Sequence, residues 1–342
     1  MDIPISVLDQ SPIPEGLSGA DALRNSVDLA RRADELGYRR YWVAEHHGTP
    51  GLASASPEAL IGPIAAATER IRVGSGGVML PHYSPLKVAE TFTALAGLFP
   101  GRIDLGFGRA PGTDPMTTYA LQRDRRDATP DDFPEQMAEL LGYLNDNLPG
   151  EHPFARLAAT LPGLPERPEP WLLGSSPQSG IWAAELGLPY AFADFINSGG
   201  ASIAAQYRAQ AERPYLAVAT WAIAADTEEE AQRLAASSRM MMRLLAQGRL
   251  IPVPPVEKAL RFLAAQGSEP VSSRERRRRA IIGDPEQVRT GLEGVAAEYG
   301  ADELMVVSIT HDHEARRRSY ELIAEAFGLR AGAGTDAGVR VG

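Results

Sequence analysis

Eight short runs of branched and aromatic residues recur along the chain, and segments of helical periodicity separate them. The runs are 3–8 (IPISVL), 40–45 (RYWVAE), 71–79 (IRVGSGGVM), 102–107 (RIDLGF), 170–174 (PWLLG), 189–196 (PYAFADFI), 214–223 (PYLAVATWAI) and 303–309 (ELMVVSI). Between them, Leu23, Val27 and Ala30 form one apolar stripe behind a Ser18 cap. Val88, Phe92, Leu95 and Phe99 form a second, Phe133, Met137, Leu140, Leu141 and Leu144 a third, and Tyr320, Ile323 and Phe327 a fourth. A strand that is apolar on both faces needs cover on both faces, which helices between parallel strands provide. Eight such units in 342 residues predict an α/β fold closed as a (β/α)₈ TIM barrel rather than an open doubly wound sheet.

Residues 1–330 read as a single barrel domain, followed by a Gly/Ala-rich flexible tail over 331–342. Segments 110–130 and 146–169 are rich in Pro, Gly and charge and read as long loops. Residues 248–284 are a long insertion in the seventh β/α unit, and a loop of that length is expected to be a lid. A net charge of −10 argues against nucleic acid or an anionic membrane as partner, and the basic run Arg274 to Arg279 reads as a solvated face. No cysteine is present, which removes thiolate metal sites, disulfides and cysteine nucleophiles. The N-terminus lacks a secretory pattern and no apolar run is long enough to span a bilayer, so a cytoplasmic protein is expected.

In a (β/α)₈ barrel the chemistry sits at the C-terminal ends of the strands. There the chain carries Glu45, His46 and His47, then the glycine-rich gap Gly74 to Gly77, then "GFGRAPG" with Gly108 and Arg109. After 170–174 comes "GSSPQSG" at the start of a helix, with Ser175, Ser176, Ser179 and Gly180. The unpaired amides of a helix N-terminus with hydroxyls beside them suit a phosphate, although simple capping by serine gives the same pattern. Glycines beside Arg109 let a flat ligand approach the backbone, with a cation to pair a phosphate or an anionic ring. His46 and His47 are adjacent, so on a strand one faces the barrel mouth while the other supports it. A metal-dependent barrel hydrolase is a rival reading, with His46 or His47, His82, His311 and His313 joined by Asp194 or Asp312. The strong local metal spacings are absent, and that reading leaves the glycine gap without a purpose.

The runs "YWVAEHHGTPG", "RIRVGSGGVMLPHYSPLKVAETFTALAGLFPGRIDLGFGRAPG", "WLLGSSPQSGIWAAELGLPYAFADF" and "IIGDPEQVRTGLEGVAAEYGADELMVVS" together resemble the bacterial luciferase-like, flavin-dependent monooxygenase family. The resemblance covers about residues 1–329 and is nearest to non-luminescent, antibiotic-tailoring members. It implies reduced FMN supplied by a separate NAD(P)H-dependent flavin reductase, and O₂ as co-substrate reacting to a C4a-hydroperoxide that oxygenates a small organic molecule. It places His46 at the reactive flavin edge, a non-proline cis peptide at Gly76–Gly77, and Arg109 near the flavin phosphate or pyrimidine side. Ser175, Ser176 and Ser179 would hold the phosphate, with Gly180 allowing close approach. Leu8, Met79, Phe107, Phe195 and Trp221 are the candidate apolar wall that keeps water from the reacting oxygen. A homodimer is implied, through the helices that follow the second and third strands. Ser175 stands where luciferase has a glutamate, Asp131 where it has a second phosphate-binding arginine, and Gly108 where it has a reactive cysteine. Light emission and long-chain aldehyde specificity therefore do not carry over. Open alternatives are a deazaflavin- or NADPH-using oxidoreductase of the same superfamily and a catalytically silent flavin-binding relative.

Overall fold

The computed structural model describes residues 3–109, 114–122, 132–266 and 279–330. In chain order its elements are β1 (Ile5–Asp9), α1 (Gly19–Leu36), β2 (Arg40–Val43), α2 (Pro57–Ala66), β3 (Arg72–Met79), α3 (Pro85–Leu98) and β4 (Ile103–Gly108). Next come α4 (Pro115–Leu121), α5 (Phe133–Asn145), β5 (Glu169–Gly174), α6 (Pro177–Glu185), β6 (Tyr190–Ala193), α7 (Ala201–Gln210) and β7 (Leu216–Ala224). The chain ends with α8 (Glu228–Leu234), α9 (Ala236–Ala246), α10 (Val256–Gln266), β8 (Ala280–Gly283), α11 (Pro285–Tyr299), β9 (Glu303–Val307) and α12 (His313–Phe327). Strands β1 to β7 follow one another around a ring, and β9 closes it between β7 and β1, with every pair parallel. The predicted TIM barrel is the fold.

The helices form where apolar stripes and caps coincide. Ser18 and Asp21 make a reciprocal capping box at the start of α1, and Gly37 ends it in the left-handed conformation. The buried face of α1 is Ala22, Ser26, Leu29, Ala30 and Ala33, while Leu23 is exposed, so the stripe is turned by one residue from the sequence expectation. The core has two layers. Leu8, Trp42, Ala44, Trp171, Ala217, Ala219 and Met305 fill the barrel interior. Val7, Val43, Val73, Leu105 and Phe107 face outward against Leu29, Ile61, Phe92 and Leu140 of the helices.

Two loop expectations change. The first expected loop contains α4, and 146–169 contains a 3₁₀ turn over Ala155–Thr160. The insertion contains a helix, α10, and a ninth strand, β8, which pairs with Trp221–Ala224 above the part of β7 that pairs with β9. Its opening stretch is pinned rather than loose: Val253 N–H donates to Ile13 O and Glu15 N–H to Val253 O, at 2.9 and 2.8 Å. The remainder of the expected lid, the basic residues before Arg279, Asp131 and the tail lie outside the described residues.

At the N-terminal end of the barrel the first residues of several strands form an ion cluster. The Arg40 guanidinium donates to Asp104 at 2.8 Å and Glu303 at 3.1 Å and lies 4.6 Å over the Trp171 ring. Trp42 Nε1–H adds a bond to Asp104 at 2.8 Å. A shallow cavity of about 340 Å³ lies outside this plug, and its Arg40, Arg70 and Arg72 are paired with Asp34, Asp104 and Glu169. With that end filled, the cavity of interest is at the other.

Candidate active site

A cavity of about 480 Å³ opens at the C-terminal end of the barrel, walled by the ends of β1 to β7 and β9. Its most unusual wall is the glycine gap. The Gly76–Gly77 peptide is cis. The β3–β4 register runs Ser75 opposite Leu105 and then Val78 opposite Phe107, so Gly76 and Gly77 together face Gly106 alone. A β-carbon on Gly76 would lie 2.5 Å from Leu8 Cδ1 and 3.1 Å from Trp42 Cβ. One on Gly77 would lie 2.8 Å from Gly106 O and 3.0 Å from Leu173 Cδ2. The gap in a core strand is thus a bulge whose bare backbone forms part of the cavity surface.

At the end of β2 the two histidines divide as expected. His46 lines the cavity, with Nε2 buried, and its backbone N–H donates to Ser54 O at 2.9 Å. His47 turns away, its Nε2 2.7 Å from Glu45 Oε1 and its ring edge-on to His82 at 5.8 Å. Glu45 is buried and also accepts from Tyr83 OH and Met79 N–H, each at 3.0 Å, which ties the end of β2 to the end of β3. Burial, reinforced by Glu45 and Glu58, pushes the Tyr83 hydroxyl far up, so it remains a donor.

Gly108 and Arg109 line the cavity at the end of β4, and a β-carbon on Gly108 would meet Leu173 O at 3.2 Å. Across from them Ser175, Ser176 and Ser179 line it at the start of α6. Ser176 is the N-cap and shares a capping box with Ser179, whose hydroxyl lies 2.8 Å from both Tyr190 OH and Ser176 O. Capping therefore engages both hydroxyls, Ser176 Oγ accepting from Ser179 N–H and Ser179 Oγ held by Ser176 and Tyr190, and an anion at this helix start would share the Ser176 hydroxyl with the cap and meet Ser175 beside it. Gly180 does not reach the cavity; it packs on Ile203, where a β-carbon would stand 3.2 Å from Cγ2. Asn197 Nδ2 donates to Ser175 O at 3.1 Å and fixes the loop from below.

Of the expected apolar wall, Leu8, Met79 and Phe195 line the cavity and two residues do not. Phe107 is wholly buried in the outer layer, because the inward positions of β4 are Gly106 and Gly108. Trp221 sits higher on β7, packed between the interior cluster and Met241, Val253 and Ile309. The cavity is completed by residues the sequence reading missed, among them Gln10, Trp42, Phe133, Leu173, Trp182, Ile196 and Met305. Period-two alternation along β1, Ser6 then Leu8 then Gln10, was a usable signal for one of them. The histidines of the metal reading separate: His313 lies 2.8 Å from Asp28 Oδ2 and His311 3.2 Å from Glu15 O. Among the described residues no group of three or more His, Asp or Glu side chains could hold one metal ion.

A bare backbone wall, an arginine on the adjacent strand and a capped helix N-terminus across the mouth suit a flat ring carrying a phosphate. Known proteins resemble the chain over most of its length. The profile described as luciferase-like monooxygenase matches residues 3–303. A luciferase-like monooxygenase of Escherichia coli is 41% identical over 94% of this chain and 96% of its own length. The N-acetyl-S-alkylcysteine monooxygenase of Bacillus subtilis is 38% identical over 95% and 98%. The crystal structure of apo-MsnO8 superposes with a TM-score of 0.87 at 42% identity, covering 96% of this chain and 98% of that one. Likeness of fold alone extends to the FMN complex of the 3,6-diketocamphane monooxygenase oxygenating constituent, TM-score 0.72 at 19% identity, covering 95% of this chain and 97% of that one. It also reaches an F420-dependent secondary alcohol dehydrogenase, TM-score 0.66 at 16% identity, covering 96% and 99%.

Proposed function

The chain belongs to the luciferase-like monooxygenase family, and from that premise we propose that it is an FMN-dependent monooxygenase oxygenating a small organic substrate. The observation that carries a phosphorylated tricyclic cofactor is that the Gly76–Gly77 bulge and the Ser175–Ser176 helix start line one cavity, and the relatives named as monooxygenases support FMN over a deazaflavin. When bound, reduced FMN supplies the two electrons that activate O₂, so that one oxygen atom enters the substrate and the other leaves as water. The α6 amides, the Ser175 and Ser176 hydroxyls and Arg109 hold the phosphate end. The bulge backbone, free of β-carbons, would give the ring a bare surface to lie against. His46 holds and returns a proton at its buried Nε2, and the Glu45–His47 pair fixes the strand end that carries it. Leu8, Trp42, Met79, Leu173 and Phe195 exclude water.

The electrons come from a separate NAD(P)H-dependent flavin reductase. A second copy of the chain packs on α2 and α3, where Leu98 is 71% exposed. None of the described helices is long and apolar enough to cross a membrane. The relative named for N-acetyl-S-alkylcysteines makes small thioethers the first substrates to try.

The test is single turnover with photoreduced FMN, a thioether panel and oxygen-18 gas. One labelled atom in the product is expected, with no substrate loss under anaerobic conditions. A parallel anaerobic arm with oxidised FMN or oxidised deazaflavin as the electron acceptor checks the rival: substrate oxidation there would replace this reading with a dehydrogenase.

A further inference from the structure

Between β6 and α7 the chain makes a loop, residues 194–200, whose two ends meet at one hydroxyl. Tyr299, the last residue of α11, donates its O–H to Asp194 Oδ1 at 2.9 Å and accepts from the Gly200 N–H at 3.2 Å. Burial, with the Asp194 carboxylate beside it, pushes that hydroxyl far up, so it keeps its proton and serves both bonds. Asp194 is wholly buried and is held again by Thr220 Oγ1 of β7 at 2.8 Å. Arg279, where the insertion returns, adds a contact to Asp194 Oδ1 at 3.8 Å and donates to Ser198 O at 3.4 Å.

The middle of this loop reaches the serine turn. Asn197 accepts from the Gly199 N–H at its Oδ1, 3.3 Å away, and donates from Nδ2 to Ser175 O at 3.1 Å. The peptide between Ser175 and Ser176 is then held at both ends, because the Ser176 N–H donates to Ser179 Oγ at 3.4 Å. That plane sets how the Ser175 and Ser176 hydroxyls stand in the cavity. Turned over, it would aim a carbonyl dipole at an anion resting on α6, where amides should point instead. Ser175 and Ser176 line the cavity, whereas Asn197 and Tyr299 stand behind it.

We propose that Asn197 is a positioning residue for the phosphate end of the cofactor, and that Tyr299 fixes the loop that carries it. This role rests on the FMN reading for the word phosphate and extends it to two side chains outside the cavity lining. It differs from plain loop stabilisation in acting on the phosphate and sparing the ring, whose bare wall comes from β3.

Equilibrium binding of FMN and riboflavin, both held reduced under nitrogen, to the wild type, Asn197→Leu and Tyr299→Phe tests this, with melting temperature measured alongside. Riboflavin shares the ring and lacks the phosphate, so the ratio of the two Kd values isolates the anion subsite. The wild type is expected to prefer FMN by about a hundredfold, Asn197→Leu to cut that preference about tenfold and Tyr299→Phe about threefold, with the riboflavin Kd within about twofold throughout. Leucine matches the shape of Asn197 without its donor, and phenylalanine keeps the packing of Tyr299 on Phe192, 5.4 Å between ring centres. Should Tyr299→Phe fail to fold, Asn197→Leu carries the test. A lower melting temperature with the FMN preference intact overturns the role of the residue changed, because a structural bond alone gives that result. So does an equal loss of both flavins, or a wild type that does not distinguish them. Variants that lose the preference in a chain giving no oxygen-18 product would sink the monooxygenase reading and leave the positioning role standing; labelled product with the preference kept in both variants would do the opposite.

Discussion

Gly77 has space for no side chain, because a β-carbon there would stand 2.8 Å from a backbone oxygen that cannot swing aside. Gly77→Ala is expected to destabilise the chain by about 1–3 kcal/mol and to weaken FMN binding beyond that, read by thermal melts and by quenching of flavin fluorescence. His46→Ala should bind reduced FMN as the wild type does while kcat falls about 10²- to 10⁴-fold, since a proton-transfer role acts on turnover. Wild-type turnover in that variant would remove His46 from the chemistry. These residues were legible because their types are costly or rare at strand ends. Phe107 misled because it was read together with Gly108, and neighbours on a strand cannot both face inward. Gln10 was missed because it follows the last strand residue, where alternation is no longer looked for.

Among the elements, α6 shows how a cap and a binding loop share atoms. Ser176→Ala should cost about 1 kcal/mol of stability through the lost cap and should also raise the Kd for FMN. Gly180→Ala, facing Ile203 rather than the cavity, should leave that Kd unchanged, and titration of both variants separates the two roles. The insertion shows where reading by composition fails. "IPVPP" before Val256 looks like loop, yet Val256 and Ala259 are buried and Phe262 and Leu263 pack against the same cluster as Ala259, at helical spacing. Strand β8 buries only Gly283, so no core-strand run marks it in the sequence, and it pairs with the end of a β7 that is longer than the barrel needs.

Across the whole molecule the eightfold alternation was legible because every strand needs helix cover, whereas the ion pairs that lock the barrel come from residues far apart in sequence. Burial alone would raise the carboxyls of Asp9 and Asp104; the guanidinium of Arg316 on the first, and of Arg40 and Arg72 on the second, outweigh it and hold both below the ordinary 3.8. A depressed folded-state value gives stability that is complete above the unfolded value and lost as pH falls through the folded one. Glu169, raised chiefly by burial with Asp104 beside it, works the other way and softens the effect. Melting temperature should therefore hold on acidification to about pH 4 and then fall steeply, and Asp9→Asn should flatten that fall.

Strand β7 has a consequence for how this scaffold changes. The chain leaves the sheet after Ala224 and re-enters it at Ala280, which lies in parallel register with Trp221, so departure and return fall on one short stretch of β7. Everything between those two points is a cassette with its ends already spliced. It can be exchanged for a relative's segment of another length without re-registering a barrel strand, and a library built at that junction would diversify the chain beside the mouth while the ion-locked base stays as it is.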